Sequence, residues 1–176
     1  MNIPNRLTVL RIFLVPVFIL LFYLYRESYI SGIVFAVAAL TDFLDGYLAR
    51  KNNQITIFGK FMDPLADKIL AMSALIIFVE QGIIYAWPVI IVVFREFAVS
   101  GFRLVAATKG TTIAAGKSGK IKTLTQLIGI TFILFSHRLY GFDLIFDLGV
   151  TLVYISVLLT IVSFMIYLYN NREVIL

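Results

Sequence analysis

The pattern of apolar and polar positions divides the chain into six long apolar runs separated by short polar breaks. Pro4-Asn5 marks a start, residues 5–11 form a short amphipathic lead, and an apolar run continues to Tyr25 before the polar turn Arg26-Glu27-Ser28. Residues 30–44 form a second run, which contains Gly32 and several Ala, small residues that let helices approach closely in lipid. It passes into an acidic stretch and ends in the polar segment 50–54. A third span begins near Gly59, carries its carboxylates in its first turns, and continues as the apolar stretch 69–79 up to Glu80-Gln81-Gly82. Residues 83–105, which include Pro88 and an internal Arg95-Glu96, form the fourth run. Residues 121–135 and 148–169 form the fifth and sixth, with a polar turn at 137–147 between them and Asn170-Asn171-Arg172 closing the last.

A helix needs roughly 20 apolar residues to cross a bilayer. The pattern therefore predicts an all-α integral membrane fold of six transmembrane helices, preceded by the short N-terminal amphipathic segment. A single domain over residues 1–176 is expected, without internal repeat or low-complexity tract.

Composition agrees with that class. Of 176 residues, 61% are hydrophobic, and the mean hydropathy of +0.98 lies far from the soluble globular norm. Lys and Arg outnumber Asp and Glu by 15 to 10, an excess suited to anionic headgroups or phosphorylated substrates. No aromatic-studded basic surface points to nucleic acid. Cysteine is absent, which rules out disulfides and thiol catalysis. The positively charged start lacks a small-residue cleavage site after its apolar run, so it reads as a retained first helix.

Six spans place both termini on one side, with the polar loop 50–54 and the basic segment 103–122. That side holds nearly all the loop Lys and Arg, and the other shows only Arg26 and Arg138. The positive-inside rule then makes it cytoplasmic. A bacterial cytoplasmic membrane is the expected location.

Candidate chemistry concentrates in residues 42–67, where Asp42, Asp45, Asp63 and Asp67 sit in an otherwise apolar setting. Isolated charges there are costly by several kcal/mol unless paired or metal-bound. Asp42 and Asp45 are three apart and Asp63 and Asp67 four apart, so each pair stacks on one helix face. Facing pairs at the adjoining ends of two antiparallel helices would repel one another unless a cation lies between them. Hard oxygen ligands without His or Cys suit Mg or Mn, and four carboxylates suffice for two ions. Two such metals are a device of phosphoryl transfer, and a carboxylate at their edge can take a proton from an attacking hydroxyl. Gly46 and Ala49 keep the adjoining helix face free of bulk and Gly59 does the same opposite, either for a ligand lying against the backbone or for close helix packing.

These residues carry a resemblance. Asp42-Phe43-Leu44-Asp45-Gly46-Tyr47-Leu48-Ala49-Arg50, then eight residues, then Gly59-Lys60-Phe61-Met62-Asp63-Pro64-Leu65-Ala66-Asp67, resembles the signature of the CDP-alcohol phosphotransferases, and all eight fixed positions match. The resemblance implies a six-helix, homodimeric enzyme that moves a phosphatidyl-type group from a CDP-linked donor to an alcohol and releases CMP. It implies that Asp42, Asp45 and Asp63 ligate two divalent cations, Mg or Mn, and that Asp67 is both ligand and general base. Gly46, Ala49, Arg50 and Gly59 would line the cytidine diphosphate site beside Asp42. A guanidinium at Arg50 suits that place, since it can bridge phosphate oxygens or hold an Asp.

The acceptor is read from the basic residues. A buried Arg in a membrane helix serves a ligand or a partner carboxylate, which makes Arg95 the most informative. Its neighbour Glu96 points about 100° away, so a direct pair is not expected. Arg103 and Lys120, with Arg6 and Arg11 as contributors, complete the candidate phosphate-binding set; Lys122 also abuts the fifth span. For Arg6 and Arg11 the alternative is anchoring at headgroups, and for Lys109 and Lys117 it is an ordinary cytoplasmic loop. His137 reads as a solvated turn residue.

A more diffuse similarity covers residues 4–11, 95–103 and 119–123, which look like the phosphatidylglycerophosphate synthases of that superfamily; Phe102 stands where Leu is more usual. This resemblance implies CDP-diacylglycerol as donor and sn-glycerol 3-phosphate as acceptor, in a membrane-lipid setting. Inositol phosphate, serine or phosphatidylglycerol remain alternative acceptors. A divalent-cation transporter is the alternative of another class, although its site would be expected near the bilayer midplane. A purely structural scaffold gives no reason for the carboxylates.

Overall fold

A computed structural model describes residues 3–25, 29–52, 57–108, 116–136 and 143–172, with side chains described except at 3–8, 42–52, 57–67 and 117. These residues form six α-helices: α1 (Ile3–Leu24), α2 (Ile30–Asn52), α3 (Ile57–Glu80), α4 (Ala86–Thr108), α5 (Lys117–Ser136) and α6 (Asp143–Asn170). Among the described residues α6 is the one helix long and apolar enough to cross a membrane, at 28 residues and a hydropathy of 2.3. Shorter apolar stretches lie within α1 and α2, at Val9–Leu24 and Ile30–Thr41.

Local chemistry explains the helix ends. α3 stops in a Schellman arrangement: Ile83 N–H donates to Phe78 C=O at 2.9 Å and Gly82 N–H to Val79 C=O at 3.0 Å. Gly82 supplies the required left-handed turn at φ 70°. Pro88 falls in the first turn of α4, where its missing N–H costs no intrahelical bond. Asp143 complements the N-terminal dipole of α6.

Contacts fix the relative directions. Trp87 meets Tyr154, Arg95 meets Ser163 and Phe94 meets Phe164, so α4 and α6 run parallel. Gly129 approaches Gly149 and Val153 while Gly149 approaches Ile133, which makes α5 and α6 antiparallel. A Cβ added at Gly129 would stand 2.9 Å from Gly149 O, so the two backbones touch because neither residue has a side chain. The core is filled by Phe18, Phe35, Phe78, Leu75, Ile130 and Ile133, with the Phe18 and Phe35 rings 5.5 Å apart. Large apolar side chains also cover the outside, among them Phe13, Ile76, Ile90, Phe97, Leu144 and Leu158.

The bundle has two chemically different ends. Tyr23, which donates to Glu80, lies at one end with Tyr85, Trp87 and Tyr154. Lys68 from the middle of α3, Arg95, Glu96 and Ser100 from the middle of α4, the start of α5 and the last turns of α6 meet on the way to the other. Because the acidic residues occupy the last turns of α2 and the first of α3, chain connectivity carries them toward that same end.

Several expected boundaries move. α2 continues through Asn52, so Arg50 and Lys51 belong to its last turns and not to a loop, since nothing before Asn52 breaks the helix. The N-terminal lead is no separate segment; α1 is continuous from Ile3, because Pro4 sits in its first turn. α5 begins at Lys117 and α6 at Asp143, each earlier than its apolar run; Asp143 suits the N-terminal dipole of α6, whereas the basic start of α5 draws no support from its dipole. Arg26, Lys109, His137 and Arg138 lie outside the described residues.

Candidate active site

The acidic motif is helical. Asp42, Asp45, Gly46, Ala49 and Arg50 lie on α2, and Gly59, Asp63 and Asp67 on α3, so each Asp pair is about one turn apart. Their side chains, and that of Arg6, lie outside the described residues. The donor set is oxygen only, in two helical pairs, which is chemistry that fits divalent cations of the Mg or Mn type. Among the residues with described side chains there is no other cluster of metal-ligating groups.

One residue beyond Asp67 a polar cluster begins. Glu96 is its hub: Oε1 accepts from Arg95 Nη1 at 2.8 Å and from Lys122 Nζ, and Oε2 pairs with Lys68 Nζ at 3.4 Å. Lys68 also donates to Ser100 Oγ, which in turn donates to the Glu96 backbone carbonyl at 2.7 Å. Arg95 Nη2 reaches Ser163 on α6 at 3.2 Å. Gly119 lies against that guanidinium, and a Cβ there would sit 3.5 Å from Nη2. Four helices thus contribute, with Lys122 side chain only 3% exposed and Arg95 and Glu96 each 12%.

Direct pairing of Arg95 with Glu96 corrects the expectation that sequence neighbours point apart. Their Cβ vectors diverge, but both side chains are long enough to turn toward Lys122 on α5. Three cations then share one carboxylate, and Arg95 Nε remains buried without a hydrogen-bond partner among the described residues. A buried positive excess with an unsatisfied donor is a setting that receives an anion.

The other acceptor candidates separate. Arg103 lies two turns further along α4, its guanidinium 6.0 Å from the Tyr167 ring, and its Nε is likewise buried without a partner. Lys120 is exposed. Arg11 is fully buried at 0% exposure, which corrects the expectation that it is available to headgroups. It lies on the inward face of α1 with Val15, Phe18 and Phe22, at helical spacing.

Lys68 is the member of this cluster that sequence reasoning did not name, and Lys122, placed with Lys120 beside the fifth span, was not told apart from it. Helical register carried the signal for Lys122: it shares a face with buried Gln126, Ile130 and Ile133, whereas Lys120 shares one with exposed Leu124 and Ile128. Lys68, adjoining Asp67, was hidden because an isolated lysine at a span's start reads as an interfacial anchor.

Residues 1–162 match the family described as CDP-alcohol phosphatidyltransferase. The chain belongs to that family. The resemblance carried by the acidic motif is therefore borne out, and membership covers both the motif and the basic cluster. Among relatives, the Bacillus subtilis CDP-diacylglycerol–glycerol-3-phosphate 3-phosphatidyltransferase is 41% identical, with 98% of this chain and 96% of the relative covered. The protein of that name from Haemophilus influenzae is 40% identical, covering 95% and 91%. A third of that name, from Rickettsia typhi, is 34% identical, covering 92% of each chain. As a CDP-alcohol phosphatidyltransferase, the protein is a membrane-associated transferase.

Proposed function

We infer that this enzyme transfers the phosphatidyl group of CDP-diacylglycerol to sn-glycerol 3-phosphate, giving phosphatidylglycerophosphate and CMP in phospholipid biosynthesis. Near end-to-end similarity to proteins named for that reaction carries the reading. The cluster around Arg95 supports it, because an acceptor that bears a phosphate needs fixed cations beside the reacting carboxylates.

Asp42, Asp45, Asp63 and Asp67 would hold two divalent cations, Mg or Mn, which when bound supply charge neutralisation at the pyrophosphate and at departing CMP. Asp67 accepts the proton of the acceptor's sn-1 hydroxyl. The freed oxygen forms its bond to the diacylglycerol-linked phosphorus, the bond from that phosphorus to the CMP oxygen breaks, and CMP leaves. Gly46, Ala49 and Gly59 leave room for the cytidine diphosphate, and Arg50 binds its phosphates. Arg95 and Lys122 take the acceptor's phosphate with Lys68 beside them on Glu96 and Arg103 further along α4, Lys120 lying at the rim.

All six helices span the membrane in this reading, with the basic end, both termini and the active site in the cytoplasm. Apolar side chains exposed on every helix support that placement, as does the aromatic set at the opposite end, which suits a membrane interface. A bacterial cytoplasmic membrane and a homodimer follow from the family resemblance. The test is product identification: purified protein in detergent, given CDP-diacylglycerol, sn-glycerol 3-phosphate and Mg or Mn, forms phosphatidylglycerophosphate by mass spectrometry. Absence of that lipid refutes the reading.

A further inference from the structure

We propose that Glu96 is a positioning residue that holds Arg95, Lys122 and Lys68 in the arrangement that receives the acceptor's phosphate, and ties that arrangement to the helix carrying Asp67. The inference rests on the reading of the Arg95 cluster as the acceptor-phosphate site.

The geometry separates Glu96 from a ligand-binding group. A carboxylate repels a phosphate, so it has no direct use in an anion site. Yet Glu96 is the shared acceptor of all three cations, which come from α3, α4 and α5. It engages one Nη of Arg95, while Ser163 engages the other and Nε stays unpartnered and buried. The guanidinium plane is thereby fixed, with a donor left over. Lys122 is nearly enclosed, and of its described contacts the one to Glu96 sets where its ammonium lies. Lys68 is held on α4 by Glu96 Oε2, the Glu96 backbone carbonyl and Ser100 Oγ, which pins the turn of α3 that follows Asp67. Without the carboxylate, three like charges share this space and splay apart. A pocket for a phosphate then loses its preformed geometry although its net positive charge rises.

That opposition makes the role measurable. If Glu96 merely offset positive charge, Glu96→Gln would tighten phosphate binding and lower the KM for glycerol 3-phosphate. Positioning requires the reverse. Initial rates in detergent micelles, with each substrate varied in turn, are measured for wild type, Glu96→Gln, Glu96→Asp, Arg95→Lys and Lys122→Gln. The expected result for Glu96→Gln is a KM for glycerol 3-phosphate raised about tenfold or more, the scale of one charge-assisted hydrogen bond, with the KM for CDP-diacylglycerol unchanged. Glu96→Asp, which keeps the charge on a shorter arm, recovers part of the loss. If Glu96→Gln leaves the acceptor KM unchanged or lowers it while Arg95→Lys and Lys122→Gln raise it, positioning by Glu96 is overturned and the acceptor site stands. If Arg95→Lys and Lys122→Gln also leave it unchanged, the acceptor-site reading itself falls. Should Glu96→Gln fail to fold, Glu96→Asp decides alone: a selective rise in acceptor KM supports the proposal, and wild-type values for both substrates overturn it.

Discussion

Glu96 and Lys122, 26 positions apart in sequence and on different helices, share a direct contact between carboxylate and ammonium in the interior of the basic end. Lys120 stands two residues from Lys122 and faces outward. Alanine at Lys122 is therefore expected to raise the KM for glycerol 3-phosphate about tenfold, and alanine at Lys120 less than about twofold, as buried and exposed cations contribute unequally. Steady-state kinetics with varied acceptor measures both.

Packing between α5 and α6 depends on two glycines. In Gly129→Ala the new methyl would meet Gly149 O at 2.9 Å and Val153 N at 3.0 Å, both backbone atoms that cannot rotate away. Overpacking of this kind costs about 1–3 kcal/mol. Gly101→Ala has open space and removes a flexible residue from the interior of α4, so it is neutral or stabilising by up to about 1 kcal/mol. Thermal unfolding in detergent ranks the two variants.

Chelation tests the donor set. Excess EDTA is expected to abolish transfer, and Mg or Mn to restore it. Full activity in chelator, measured as CMP release, would contradict a metal role for the four Asp residues.

Asp67→Asn keeps the size of the side chain and removes its basicity. Loss of about 10²-fold or more in turnover is expected, the lower scale of general base catalysis, with CDP-diacylglycerol binding and folding retained. Isothermal titration with the donor alone, beside the rate, separates the two effects.

The acidic motif was legible because its chemistry is local: eight fixed positions within 26 residues identify a family before any tertiary contact is known. The helices were legible for a similar reason, since the apolar runs fix their number, although α2, α5 and α6 extend beyond those runs into polar sequence. Contacts between helices were not. Whether Arg95 turns toward Glu96 depends on Lys122 across the bundle, and whether Arg11 meets headgroups depends on which face of α1 is covered. Gly129 and Gly149 drew no notice because a glycine in an apolar run has no charge or spacing to distinguish it. Only the facing backbone gives it a role.

The acceptor is the central claim, and one assay addresses it most directly. CMP release by the purified full chain is followed in detergent with CDP-diacylglycerol and Mg or Mn, with sn-glycerol 3-phosphate, inositol phosphate, serine and phosphatidylglycerol each supplied as the sole acceptor. The account predicts rapid CMP release with sn-glycerol 3-phosphate, matched mole for mole by phosphatidylglycerophosphate, and background rates with the other three. Release that another acceptor drives and glycerol 3-phosphate does not would contradict it.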